Sequence, residues 1–322
     1  MKTVYRIGTR ASRMAVAQAE AIRDALQRAH PELSFELVTR ATDADRDTKS
    51  RLGSMGGKGG AFINDMRDMM LDGTADLAMH SLKDLPGDDE YYDEKRFVIG
   101  ACMPRDDARD ALVLKPAGAD VPAVIGTSSI RRRAYLNRIF PQAEVVQFRG
   151  SADLRLRRLD TGEPMQFNYG GQTPPVDALV LAASGLERIG EGARISRRFE
   201  VTEMLPAVGQ GIVVAECLAD DPVVTRLLAA IDHRQTRWLM QAERAMLRAL
   251  GGHCDSPIGG YAWIGDGKLN LRGAVISPDG ADLVEVIDAT PYSGADDLGM
   301  RVGRRLNTLG GSTIITESRY AD

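Results

Sequence analysis

Residues 251–260 read GGHCDSPIGG, which places a lone thiol, Cys254, on a loop of glycines and turn formers where packing gives a cysteine no reason to be. Two reactive readings, a Cys-His nucleophile with His253 or a metal site, are weak. Sequence neighbours seldom face each other, and a metal wants about four ligands. An unreactive exposed thiol is the simpler account on these residues alone. A second concentration of chemistry lies over residues 128–158. Arginines 131, 132, 133, 138, 149, 155, 157 and 158 oppose only Glu144 and Asp153, eight minus two or +6, in a chain whose net charge is −4. Arg133, Arg138, Arg157 and Arg158 read as solvated helix faces. The others read differently. Thr127, Ser128 and Ser129 fall where a strand hands over to a helix, so free N–H groups and hydroxyls converge with Arg131 and Arg132 at a sheet's carboxyl end. Arg149 and Gly150 repeat the arrangement after the next strand, with Arg155 on the helix that follows. Guanidinium forks grip carboxylates in pairs, so this row suits a ligand bearing several of them.

MHSLKDLP, residues 79–86, follows a strand directly and stops at a proline. His80, Ser81, Lys83 and Asp84 therefore belong to a loop at a strand's carboxyl end, the usual site position in open α/β sheets. A surface Lys83–Asp84 pair is the plain reading. Beside the arginines, however, that carboxylate is one acceptor among many donors, able to face a cation or pass protons. GGKGG at 56–60 lacks P-loop spacing and reads as a mobile loop carrying Lys58. LPAVGQG at 205–211 reads as a linker between domains, with Gln210 as a ligand contact.

These residues need a scaffold. Over the first two-thirds of the chain, short β-branched strands (VYRIG, FELV, ADLAM, FVIGA, then ALVL, AVIG, EVVQF, DALVLAA) alternate with amphipathic helices. Such alternation means crossover connections and mainly parallel sheets. IGT at 7–9 recurs at 125–127, each time at a strand end with hydroxyls and arginines following, which suggests two similar α/β domains. After Pro222 come two helices, the cysteine loop, strand-like stretches near Tyr261, Leu269 and Leu283, and a helix over about 296–309, a small α+β domain. Residues 162–176, rich in Gly and Pro, read as an exposed loop.

At 322 residues the chain has room for two or three domains. Its 43% hydrophobic and 27% charged residues describe a folded globular protein. The negative charge argues against general nucleic-acid binding. No apolar run reaches a membrane span, and MKTVYRIGTRAS lacks a signal-peptide core, so no membrane association and a cytoplasmic location are expected. Three widely spaced cysteines, Cys102, Cys217 and Cys254, fit a reducing compartment.

Taken in order, HSLKDLP, IGTSSIRR, FRG with Arg155, LPAVGQG, AERAM and CDSPIGG resemble the porphobilinogen deaminase family over nearly the whole chain. The resemblance implies a transferase that joins four porphobilinogen units head to tail into hydroxymethylbilane, releasing ammonia, in tetrapyrrole biosynthesis. It implies a dipyrromethane cofactor held through a thioether at Cys254. It implies Asp84 as the catalytic aspartate, assisting deamination and stabilising azafulvenium and pyrrolenine cations. Lys83, Thr127, Ser129, Arg131, Arg132 and Arg155 match cofactor-holding positions. Arg10, Ser12, Arg149 and Arg188 match positions for incoming substrate or growing chain, joined by Lys58, Ser81, Gly150 and Gln210. The implied fold is two periplasmic-binding-protein-like α/β domains, 1–103 with 212–231 and 104–206, plus a small α+β C-terminal domain, 234–322. A monomer with no metal and no nucleic-acid partner is expected.

The sequence departs from the family pattern at His253, at TDAD from Thr42, at an extra glycine in GGKGG and in the insertion at 162–176. Two other classes account for fewer of these features. A solute-binding protein of the same architecture would explain the arginines but not the third domain or Cys254. A cysteine hydrolase would use Cys254 and His253 but lacks a convincing partner to orient the base.

Overall fold

The computed structural model describes residues 2–40, 63–87, 96–167, 171–252 and 256–318. The first lobe holds β1 (Val4–Arg10), α1 (Arg13–Ala29), β2 (Ser34–Arg40), α2 (Asn64–Leu71), β3 (Leu77–Ser81) and β4 (Phe97–Cys102). The chain then builds a second lobe from β5 (Asp110–Leu114), β6 (Val124–Thr127), α3 (Ile130–Ile139), β7 (Glu144–Gln147), α4 (Ala152–Thr161), β8 (Ala178–Ala182), α5 (Ala183–Arg188) and β9 (Arg197–Arg198). It returns to the first as β10 (Val213–Leu218) and α6 (Pro222–Ala229). It ends in α7 (Arg234–Leu250), β11 (Ile258–Gly265), β12 (Lys268–Ile276), β13 (Leu283–Thr290), α8 (Ala295–Thr308) and α9 (Gly311–Ser318).

The two large sheets have one topology. Their orders are β2-β1-β3-β10-β4 and β7-β6-β8-β5-β9. In each, one strand runs against its neighbours: β10 is antiparallel to β3 and β4, and β5 to β8 and β9. β1 is parallel to β2 and β3, as β6 is to β7 and β8. The recurring IGT therefore falls on topologically equivalent strands, β1 and β6. The serines after it do equivalent work: the Ser12 hydroxyl accepts from Ala15 N and starts α1, and Ser129 accepts from Arg132 N and starts α3. Both strand-to-helix turns open at the carboxyl edge.

α1 buries Ala15, Gln18, Ala19, Ile22 and Leu26, a stripe at helical spacing, against Ile7 and Phe35. Burying Ile22 or Leu26 stabilises the lobe by roughly 1.5–3 kcal/mol each. α6 starts at Pro222 with Asp221 capping it, and its Val224 and Leu228 join this same core. The last unit stacks α7 and α8 on an antiparallel β11-β12-β13 sheet around Met246, Leu271 and Val302.

Residues 162–176 differ from the loop expected. Met165 N donates to Thr173 Oγ1 and Thr173 N to Met165 O, with a bridge between Gln166 and Gln172. Met165 and Val176 are 1% and 2% exposed, inside the second lobe's core. Two apolar residues were enough to draw the described part of the segment inward.

Candidate active site

Where β6 ends, Thr127 is buried and its hydroxyl accepts from Ser129 N at 3.2 Å. The first turn of α3 then sends two arginines into the lobe, 3% and 7% exposed. Arg131 Nη2 donates to Asp110 Oδ2 at 2.7 Å, and Arg132 Nε to Asp110 Oδ1 at 2.9 Å. Asp110 sits on the antiparallel strand β5 and is wholly buried. Burial alone would raise its carboxyl; the two guanidinium groups outweigh this and hold it well below the usual range. Gln210 completes the arrangement: its amide nitrogen donates to Asp110 Oδ1 at 2.9 Å and to Ala108 O, and its oxygen accepts from Arg132 at 3.3 Å.

Lys83 and Asp84 lie on the single turn Leu82–Asp84 directly after β3. Desolvation lowers the Lys83 ammonium to about 8, repulsion from Arg132 and Arg131 adding to it while Asp84 and Asp110 oppose. Arg155 falls to about 10 through desolvation and the nearby charges of Arg132 and Arg149. Loop and cluster, from different lobes, thus share one electrostatic neighbourhood. Among the described residues its charges are Lys83, Arg131, Arg132 and Arg155 against Asp84 and Asp110, four minus two or +2, with Arg149 adjoining. Such an excess in a partly desolvated place is costly unless an anion joins it, and several carboxylates on one molecule are the fitting complement.

The comparisons with known proteins speak to the same chemistry. The model of "Porphobilinogen deaminase, dipyromethane cofactor binding domain" matches residues 5–226, and that of "Porphobilinogen deaminase, C-terminal domain" matches residues 238–308. The chain belongs to the porphobilinogen deaminase family. A porphobilinogen deaminase of Chromobacterium violaceum is 38% identical over 317 residues, covering 96% of each chain. One of Bordetella parapertussis is 39% identical over 315 residues, covering 97% of this chain and 95% of that one. Among solved structures, the methionine binding protein MetQ is 12% identical with a TM-score of 0.42, over 70% of this chain and 89% of that one.

The remaining candidate residues of this family member fall in three groups. Arg149 and Gly150 lie beside Arg155, whose Nε donates to Gly150 O at 2.6 Å. Gly150 has φ +118°, and a Cβ there would lie 2.8 Å from Leu154 Cδ2, so that turn requires glycine. Nearer the rim, half-buried Arg10 ends β1, Ser12 caps α1, and Ser81 Oγ donates to Gln18 at 3.0 Å. Arg188, on α5, pairs with Asp106 and reaches Gly211 O at 3.4 Å. Cys254, His253 and Lys58 lie outside the described residues, as do Thr42 to Asp45 and GGKGG.

Two expectations change. Gln210 is 1% exposed and its amide is spent inside the protein, so it serves Asp110 and Arg132 rather than a ligand. Arg138 is no idle surface charge: it donates to Gly280 O at 2.6 Å, tying the second lobe to the last unit. Sequence reasoning passed over Asp110, one acid inside DARDALVL, whose only signal was a charge opening an apolar strand. It also passed over Glu243. That buried carboxylate accepts from Arg105 at 2.5 Å, Gly209 N at 2.6 Å and Ala262 N at 2.7 Å, joining linker and last unit.

Proposed function

We propose that this member of the porphobilinogen deaminase family polymerises porphobilinogen in the cleft where Lys83 and Asp84 of the first lobe meet the arginines of the second. Cys254 carries the dipyrromethane through a thioether. The lobes comprise 1–103 with 212–231 and 104–206, and 234–322 bears the cysteine. The enzyme works as a cytoplasmic monomer, with no metal and no nucleic-acid or membrane partner.

The observation that carries this reading is the +2 excess among the described residues around Asp84. When bound, the dipyrromethane supplies the pyrrole terminus from which the product grows. Each of its rings brings two carboxylates, and Arg132, Arg155 and Lys83 supply the opposing charge while Thr127 and Ser129 present hydroxyls. Asp110 and Gln210 keep the Arg131 and Arg132 guanidiniums fixed in advance, so binding spends little on ordering them. Arg149, Arg10, Ser12 and Arg188 extend the cationic and hydroxyl surface toward incoming substrate. Among the described residues, Asp84 is the acid of this group that no arginine fork encloses. Its carboxylate takes the proton lost at the coupling carbon and faces the positive charge that departure of ammonia creates.

Intact-protein mass spectrometry is expected to find the chain heavier by two pyrrole units, the added mass on the peptide containing Cys254. Asp84→Asn is expected to keep its melting temperature while turnover drops by about 10²–10³. A bare mass in active protein rejects the thioether, and near-normal turnover of Asp84→Asn rejects the acid.

A further inference from the structure

Helix α7 touches the Lys83–Asp84 loop at three successive points of one face. Met240 packs with Leu82 and Leu85 in a common apolar cluster. Arg244, 5% exposed, donates from Nη2 to Pro86 O at 2.7 Å. Leu247 lies so close to Gly87 that a Cβ there would meet its Cδ2 at 2.2 Å. Positions 240, 244 and 247 follow the i, i+4, i+7 spacing of a single helical stripe. The same helix is stitched to the first lobe upstream, where Arg237 Nη2 donates to Gly100 O at 3.0 Å. Downstream it ends at Gly251, whose φ of +60° stops the helix three residues before Cys254.

A lone turn such as Leu82–Asp84 has little rigidity of its own, with one backbone bond, Leu85 N to Leu82 O at 3.1 Å, closing it. Pro86 cannot donate a hydrogen bond, so its carbonyl is the group by which the chain can be held there. A buried guanidinium bond to a carbonyl is charge-assisted and stronger than a neutral one, enough to select one loop position among many. We infer that Arg244 is a positioning residue for the reaction: through Pro86 it fixes the loop carrying Asp84 to the helix that leads into the Cys254 loop, so that one rigid element sets the carboxylate against the anchored chain. This rests on the role proposed for Asp84.

The test uses the holoenzyme. Arg244→Gln is expected to load cofactor normally by intact mass, to lower kcat at least tenfold and to leave KM within twofold. Arg244→Lys, which restores a charged donor, is expected to recover most of the loss. Because the residue acts through Asp84, Asp84→Asn/Arg244→Gln is expected to be no slower than Asp84→Asn. Hydrogen exchange over residues 82–87 is expected to quicken in Arg244→Gln, a readout that stands even if Asp84 proves not to be the acid. Should Arg244→Gln fail to fold, Gly87→Ala pushes the loop from the helix with Arg244 intact and is expected to lower kcat in the same way. Unchanged kcat in a folded Arg244→Gln, a loss confined to KM, additive losses in the double variant, or unchanged exchange over 82–87 overturns the inference.

Discussion

Each lobe buries an acid on its one antiparallel strand, and the two acids are used differently. In the first lobe Glu216, on β10, binds Arg67 at 2.8 and 3.1 Å and lies 3.3 Å from His80 Nε2. Burial would raise the Glu216 carboxyl, but His80 and Arg67 bring it down to about 2. Among the described residues, one arginine faces one carboxylate there, with the Arg67 guanidinium stacked 4.6 Å from the Phe97 ring, and the group is closed. In the second lobe Asp110 serves two arginines and stands near Lys83, and Arg155 is repelled by Arg132, so that among the described residues Asp110 cannot match every neighbouring cation. A shared topology thus gives a balanced group that holds a core together and an unbalanced one that waits for an anion. Charge surplus, rather than the presence of buried arginine, separates the site from the scaffold.

The largest effect should come from removing either acid. Glu216→Gln and Asp110→Asn each strand buried guanidinium charge and should cost about 3–5 kcal/mol in chemical denaturation. The comparison sharpens when a tetracarboxylate such as pyromellitate is added to the Cys254→Ala protein, which on our reading lacks the covalent cofactor. Its carboxylates can stand in for Asp110 but cannot reach the closed group, so the cost of Asp110→Asn should shrink and that of Glu216→Gln should not. Equal responses would erase the distinction.

A smaller effect follows from Lys83. Its folded value of about 8 lies below the ordinary 10.5. Between these values the unfolded chain holds the proton and the folded, anion-free protein does not, so stability rises with pH across that window. A bound carboxylate restores the proton. Affinity of the Cys254→Ala protein for pyromellitate should therefore be level below pH 8 and fall by up to tenfold per unit above it. Calorimetric titration in buffers of different ionisation enthalpy should detect proton uptake on binding. Lys83→Arg should flatten the profile; a profile already flat in the parent would show that Lys83 does not meet the ligand.

Much of this was legible beforehand because it depends on local order. IGT followed by serine gave the capped turns at Ser12 and Ser129, and ADLAM left Lys83 and Asp84 at the carboxyl edge, although the strand runs on through His80 and Ser81, which were expected in the loop. Alternating β-branched strands and amphipathic helices gave both α/β lobes. What sequence order could not give is partnership across distance. Asp110 meets Arg131 and Arg132 about twenty residues on, and Gln210 about a hundred, because β5 runs against its sheet. Glu243 and Arg244 looked like ordinary charges on an amphipathic helix until the linker and Pro86 proved to lie against them. The segment 162–176 failed for the opposite reason: its composition spoke of turns, and only the waiting core explains why Met165 and Val176 are inside.

The smallest predicted effect has opposite signs in the two lobes. Arg155 is desolvated and repelled by Arg132 and Arg149, so the anion-free fold carries it at a loss, offset in part by its bond to Gly150 O. Losing that charge-assisted bond costs about 1.5–3 kcal/mol. The desolvation and repulsion relieved should exceed it, so Arg155→Met in the Cys254→Ala protein should gain about 1 kcal/mol of stability while pyromellitate affinity falls about tenfold. Arg67→Met in the same background should lose stability, because Glu216 is left buried with His80 alone, and should leave pyromellitate affinity where it was. If Arg155→Met destabilises as Arg67→Met does, the second lobe's cations are matched by groups of the protein itself, and the surplus that distinguishes the two lobes does not exist.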